Sequence, residues 1–199
     1  MVSAAGSQMD AFIEEGNLTS ILAGHARFSD LVILGQNHPD DPDNMSEALA
    51  DNIVLEGGTP CLVIPYTGIK QTLGKRVLVA WNATRESARA IKDAMPILTR
   101  ADKVDLLIIN PDHYDIDNNE SHGRSISAFL SIHGVEAEIR IDQKTDSKPG
   151  DVILAQANEI DADMIVMGAY GHSRLRELVL GGTTRLLLKQ MTLPILISH

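Results

Sequence analysis

Apolar residues in this chain gather in short runs bounded by glycine, proline or aspartate, and stretches of helical period separate the runs. Arg76–Trp81, Val104–Ile109, the weakly alternating Val135–Ile141, Met164–Met167 and Pro194–Ile197 read as strands. Between them, Glu86–Leu98 has the period of an amphipathic helix capped by Thr84. A polar loop over Asp112–Glu120 leads to a helix over Arg124–Ile132, stopped by Gly134. Pro149 and Gly150 precede a helix ending at Glu159, and Arg185–Lys189 reads as the last one. Strands alternating with helices imply a parallel sheet covered on both faces. The expected fold class is α/β: a Rossmann-like, open, parallel five-stranded sheet in the order 3-2-1-4-5.

Part of the same pattern occurs earlier in the chain. Ser29-Asp30-Leu31-Val32-Ile33-Leu34-Gly35 matches Ala162-Asp163-Met164-Ile165-Val166-Met167-Gly168 position by position. Thr59-Pro60-Cys61-Leu62-Val63-Ile64-Pro65 matches Leu193-Pro194-Ile195-Leu196-Ile197-Ser198-His199 in the same way, and Gly16-Asn17-Leu18 falls near the place of Gly150-Asp151-Val152. Matches in one order indicate a repeat. The first copy, Gly16 to Pro65, holds only the latter half of the unit. A shortened tandem protein or a fragment is therefore expected, with Met1–Glu15 as the tail of a lost helix. The expected division is a partial, degenerate copy over 1–66, a linker over 67–74, and a complete copy over 75–199. Each copy ends in a proline-led edge strand, Pro60–Ile64 and Pro194–Ile197, and exposed apolar edges seek partners.

A chain of 199 residues with 44% hydrophobic content can bury one sizeable domain and part of a second. Aromatics make up only 4%, so aliphatic side chains must build the core, as α/β packing allows. Cys61 is the only cysteine and lies in an apolar run, which excludes an intrachain disulfide and favours a buried, inert thiol. The first residues lack a basic region and an apolar core, and no run approaches the roughly 18 apolar residues that span a bilayer. The expectation is a soluble cytoplasmic protein with no membrane partner.

Charge separates the two copies. A net charge of −10 argues against general nucleic-acid binding. Through Pro65 there are ten acidic residues against Arg27 alone, whereas sixteen basic and seventeen acidic residues follow from Tyr66 onward. An anionic ligand is expected on the second copy.

That copy holds a glycine frame: Gly168-Ala169-Tyr170-Gly171, then nine residues to Gly181-Gly182-Thr183-Thr184. Glycine at a strand exit permits a tight turn and a close ligand, and N–H groups opening a helix suit phosphate. Gly168 and Gly171 are read as making room, Gly181 and Gly182 as offering N–H groups, and Thr183 and Thr184 as adding hydroxyls. His172 and Arg174 stand nearby. In the order 3-2-1-4-5 the switch point lies between the first and fourth strands, whose ends are Trp81-Asn82 and Gly168. Asn82 is placed to meet a ribose hydroxyl, with Ala80, Ile109 and Met167 around an apolar slot for a base. The P-loop and G-x-G-x-x-G motifs are both absent, as is the S-G-G-x-D-S loop of pyrophosphatase-type ligases.

Over about Lys75 to His199 the chain resembles the universal stress protein family. The family's signature of G, two residues, G, nine residues, G and Ser or Thr is similar to Gly168, Gly171 and Gly181. Gly171-His172-Ser173-Arg174-Leu175-Arg176-Glu177, Val79-Ala80-Trp81-Asn82 and Pro194-Ile195-Leu196-Ile197 also resemble bacterial members. Two positions depart from the pattern: Gly182 replaces the Ser or Thr, and Asn82 replaces an acid common in ATP-binding members. The resemblance implies a stress-response regulator or sensor that binds ATP or a related adenine nucleotide, with Mg accompanying it. It also implies antiparallel pairing of the terminal strands, in a homodimer or a pseudo-dimer. Because the first copy is incomplete, pairing with another chain is the form expected.

The alternative is a protein-interaction module of the same fold in which the glycines serve packing alone. No catalytic residue is assigned, since no nucleophile–base pair or paired carboxylate lies near the frame. Slow ATP hydrolysis is the most that enzyme chemistry would supply. No metal site is assigned: His38, Asp40, Asp41 and Asp43 read as a solvated acidic loop, and His113, His122 and His133 lack ligand spacing.

Overall fold

The computed structural model describes residues 10–36, 38, 49–50, 53–69, 72–109, 116–143, 147–169 and 182–199, with side chains described from 123 onward in the segment beginning at 116. Helix α1 (Leu18–Ala26) starts where Asn17 accepts the N–H of Ser20, and strand β1 (Val32–Gly35) follows it. A π-helical turn over Ile53–Gly57 then leads to β2 (Cys61–Ile64). The second copy supplies β3 (Arg76–Trp81), α2 (Arg85–Leu98), β4 (Lys103–Ile109), α3 (Ile116–Ile132) and β5 (Ala137–Asp142). It ends with α4 (Pro149–Glu159), β6 (Met164–Gly168), α5 (Gly182–Gln190) and β7 (Ile195–Ser198).

The α/β class holds, but among the described residues the sheet has seven strands rather than five, in the order β1-β2-β7-β6-β3-β4-β5. The members from residue 76 onward, ordered β5-β4-β3-β6-β7, keep the 3-2-1-4-5 arrangement, and β2 and β1 extend the sheet beyond β7. Neighbours are parallel except β2 and β7, so the sheet is mixed. The terminal strands were expected to be covered by another chain. They cover each other instead, Cys61 opposite Ile197, Leu62 opposite Leu196 and Val63 opposite Ile195. Leu62 and Leu196 are both buried at this seam, so pairing within the chain removes two apolar edges at once.

One helix start also moves. Residues 116–120, expected in a loop, belong to α3. Their sequence, Ile116-Asp117-Asn118-Asn119-Glu120, has no apolar period to announce a helix.

Alternation along the strands divides the core into two layers. Leu78, Leu107, Ile165, Met167, Ile195 and Ile197 meet α4 and α5 on one face. Val77, Val79, Leu106, Val166 and Leu196 meet Ile91, Ala94 and Leu98 of α2 and Leu130 of α3 on the other.

Candidate functional site

The carboxyl ends of β3 and β6 lie side by side, with Ala80 opposite Met167. Ile109 ends β4, the other neighbour of β3. Strand alternation sends Ala80, Ile109 and Met167 to the same face of the sheet, where they share the apolar layer beneath α4 and α5. Ala80 and Ile109 are half-buried and Met167 is buried, so the three end as an apolar rim. Trp81 goes to the opposite face, against the α2–α3 layer. Its Nε1 is the one buried side-chain nitrogen or oxygen without a partner among the described residues.

Asn82 leaves β3 at its exposed end. Its Oδ1 accepts the Thr84 hydroxyl at 2.9 Å, and Thr84 in turn caps α2 by accepting the N–H of Ser87. Asn82 therefore shapes the turn into α2 as well as standing at the switch point. Glu86, in the first turn of α2, is only 6% exposed and pairs with Arg85. Burial pushes its carboxyl pKa up, but Arg85, the backbone N–H of Glu86 and the Thr84 hydroxyl outweigh that and hold it below the ordinary 4.5. The sequence signal for this buried acid was a helix cap followed two residues later by a glutamate, which the helix dipole favours.

Gly168 brings β6 against that same turn. A Cβ there would stand 2.4 Å from the Glu86 carbonyl carbon and 2.5 Å from the Ser87 nitrogen. The space that its Cβ would occupy holds the backbone of α2. Its glycine serves helix–strand packing.

On the other side, α5 opens at Gly182, where a Cβ would have no described atom within 4 Å. Thr183 is half-buried and Thr184 is buried. The first turn of α5 is held by α4: at Gly150 the absent Cβ would meet Leu186 Cδ2 at 2.8 Å and the Thr183 carbonyl oxygen at 3.4 Å. The far end of α5 is held from the first copy, because Gln36 donates its amide to the carbonyls of Leu188 (2.8 Å) and Lys189 (3.3 Å). Gln36 also accepts the N–H of Tyr66. Nothing in the sequence pattern marked this clamp, which joins residues far apart in the chain. Gly171, His172, Arg174 and Gly181 lie outside the described residues, as do Asp40, Asp41 and Asp43.

A family description, Universal stress protein family, matches residues 74–199. The chain belongs to that family. Among solved structures, a universal stress protein from Archaeoglobus fulgidus DSM 4304 aligns over 90% of this chain at a TM-score of 0.71 and 16% identity. The aligned part spans 66% of that protein, slightly under two thirds. Universal stress protein UspA from Lactobacillus plantarum aligns over 65% of this chain and 100% of its own, at a TM-score of 0.50 and 16% identity. These likenesses show the fold. By sequence, Universal stress protein Slr1230 from Synechocystis sp. (strain ATCC 27184 / PCC 6803 / Kazusa) is 50% identical over 34 residues, which is 17% of this chain and 12% of that protein. No described helix of this universal stress protein is long and apolar enough to cross a membrane.

Proposed function

We propose that this universal stress protein is a cytoplasmic stress-response regulator or sensor that binds ATP or a related adenine nucleotide in its second copy. The observation that carries the reading is the shared face of Ala80, Ile109 and Met167 at the carboxyl edge of the sheet, beside the open start of α5. An apolar rim suits a base. The N–H groups of Gly182 and Thr183 suit phosphate oxygens, since the first turn of a helix leaves such donors without intrahelical partners. Asn82 completes the set toward a ribose, with Gly171, His172, Arg174, Gly181 and Thr184 as further members and Mg accompanying the phosphates. In this reading the start of α2 does not take the phosphate. The carboxylate of Glu86 already sits there and would repel it.

In the same reading the chain is a tandem protein whose first domain, over 1–66, is truncated, joined through 67–74 to a complete domain over 75–199. The join of β2 and β7 then makes a pseudo-dimer. Its support is the equivalence of the two parallel strand pairs, Val32 with Cys61 and Ile165 with Ile195, around the antiparallel seam.

One observation favours the second reading, an interaction module of the same fold. Packing is a sufficient reason for glycine at residue 168, so part of the glycine frame has a structural reason. The variant Gly182→Val separates the two, because no described atom lies within 4 Å of where a Cβ at residue 182 would be. Nucleotide affinity measured by titration calorimetry falls at least about tenfold, a loss of about 1.4 kcal/mol, if phosphate approaches that backbone. An unchanged affinity, or no nucleotide binding by the parent protein, leaves the interaction module as the reading.

A further inference from the structure

Among the described residues the first copy repeats the β6–β7 part of the second and not its β3–α2 part. The register of β1 on β2, from Val32–Cys61 to Gly35–Ile64, is that of β6 on β7, from Ile165–Ile195 to Gly168–Ser198. The flanking bonds repeat as well: Val32 N–H to the Pro60 carbonyl corresponds to Ile165 N–H to Pro194, and Gln36 N–H to Ile64 corresponds to Ala169 N–H to Ser198. In the second copy, β3 pairs parallel with the other edge of β6, and α2 covers β6 and β7. At the matching edge of β1 the described sheet ends.

Three residues around β1 keep features that the β3–α2 unit explains in the second copy. Asp163 is buried and accepts the N–H groups of Lys75 and Arg76 at 3.0 Å, tying down the start of β3. Its counterpart Asp30 is exposed. Val166 is fully buried beneath α2, whereas its counterpart Ile33 is 63% exposed. Gly168 must be glycine because the first turn of α2 lies against it. Gly35 is glycine too, yet no described atom comes within 4 Å of where its Cβ would be.

The two ends of the sheet also differ. The other outer strand, β5, carries Glu138 and Arg140, which pair with Lys103 and Asp105. Charges of this kind protect an edge. β1 carries none.

We infer that the open edge of β1 is an acceptor for a β–α unit of the β3–α2 kind. Its strand runs parallel to β1, its first N–H groups meet Asp30, and its helix covers Ile33 with its first turn over Gly35. Because Val32, like Gln36, turns its N–H to the β2 side, strand alternation turns the N–H groups of Ile33 and Gly35 to the open edge. The inference rests on the internal repeat and is independent of nucleotide binding.

A synthetic peptide of residues 74–99, the protein's own example of such a unit, is the probe for the full chain. The expected result is saturable binding that slows amide exchange at Ile33 and Gly35. Gly35→Val meets no described atom, so it should leave the melting temperature unchanged while weakening the peptide at least about tenfold. Ile33→Asp should weaken it as well. The inference is overturned if the peptide does not bind, if Gly35→Val binds it as well as the parent does, or if the exchange protection falls elsewhere. It is equally overturned if the chain alone sediments as a dimer that Ile33→Asp dissolves, since a second copy would then hold the edge.

Discussion

A methyl group added at residue 168 would press on the carbonyl carbon of Glu86 and the nitrogen of Ser87, and backbone atoms cannot rotate aside as a side chain can. Gly168→Ala is therefore expected to cost about 3 kcal/mol or more in urea denaturation. Gly35→Ala, at the equivalent position of the first copy, should change stability by no more than about 0.5 kcal/mol. Asp163 poses a different test. Its carboxylate is the acceptor for the N–H groups at the start of β3, so Asp163→Ala leaves those part-buried donors without it and should cost about 1–3 kcal/mol. The residue identities were readable in the chain, but these reasons were not. Gly168 was marked by its glycine frame, while the atoms that require it belong to a helix distant in sequence. Asp30 and Asp163 aligned as repeat partners without revealing that only one has N–H groups to hold.

Helix ends carry the next set of effects. At the start of α2, the folded pKa of Glu86 is depressed, so ionised Glu86 stabilises the fold above pH 4.5 and that contribution is lost as the pH falls below it. The urea midpoint of the parent should therefore drop between about pH 5 and about pH 3 by more than that of Glu86→Gln. An equal drop in both would show that other carboxylates govern the acid limb. At the far end of α5, Gln36→Ala removes an amide that bonds the carbonyls of Leu188 and Lys189 and should cost about 1 kcal/mol. Hydrophobic period placed α2 and its Thr84 cap correctly, because that helix buries a regular apolar face. It missed the start of α3, where polar residues open the helix.

For the molecule as a whole, the seam between β2 and β7 makes two incomplete edges into one sheet. The resemblance to the family implies an antiparallel partner for these strands, but strand sequence does not say whether the partner is on the same chain. The register shows that it is, with Leu62 and Leu196 face to face and buried. The apolar rim of the proposed nucleotide site was readable from strand alternation, since Ala80, Ile109 and Met167 each lie in the last two residues of a parallel strand. The packing duty of Gly168 was not, nor was the acid at the head of α2, and together they move the proposed phosphate position toward α5. Titration calorimetry of the full chain with ATP, in the presence of Mg, tests this account most directly. The account predicts saturable heat with one nucleotide per chain, weakened in Gly182→Val at unchanged melting temperature. Folded protein that gives no heat at millimolar ATP would contradict it.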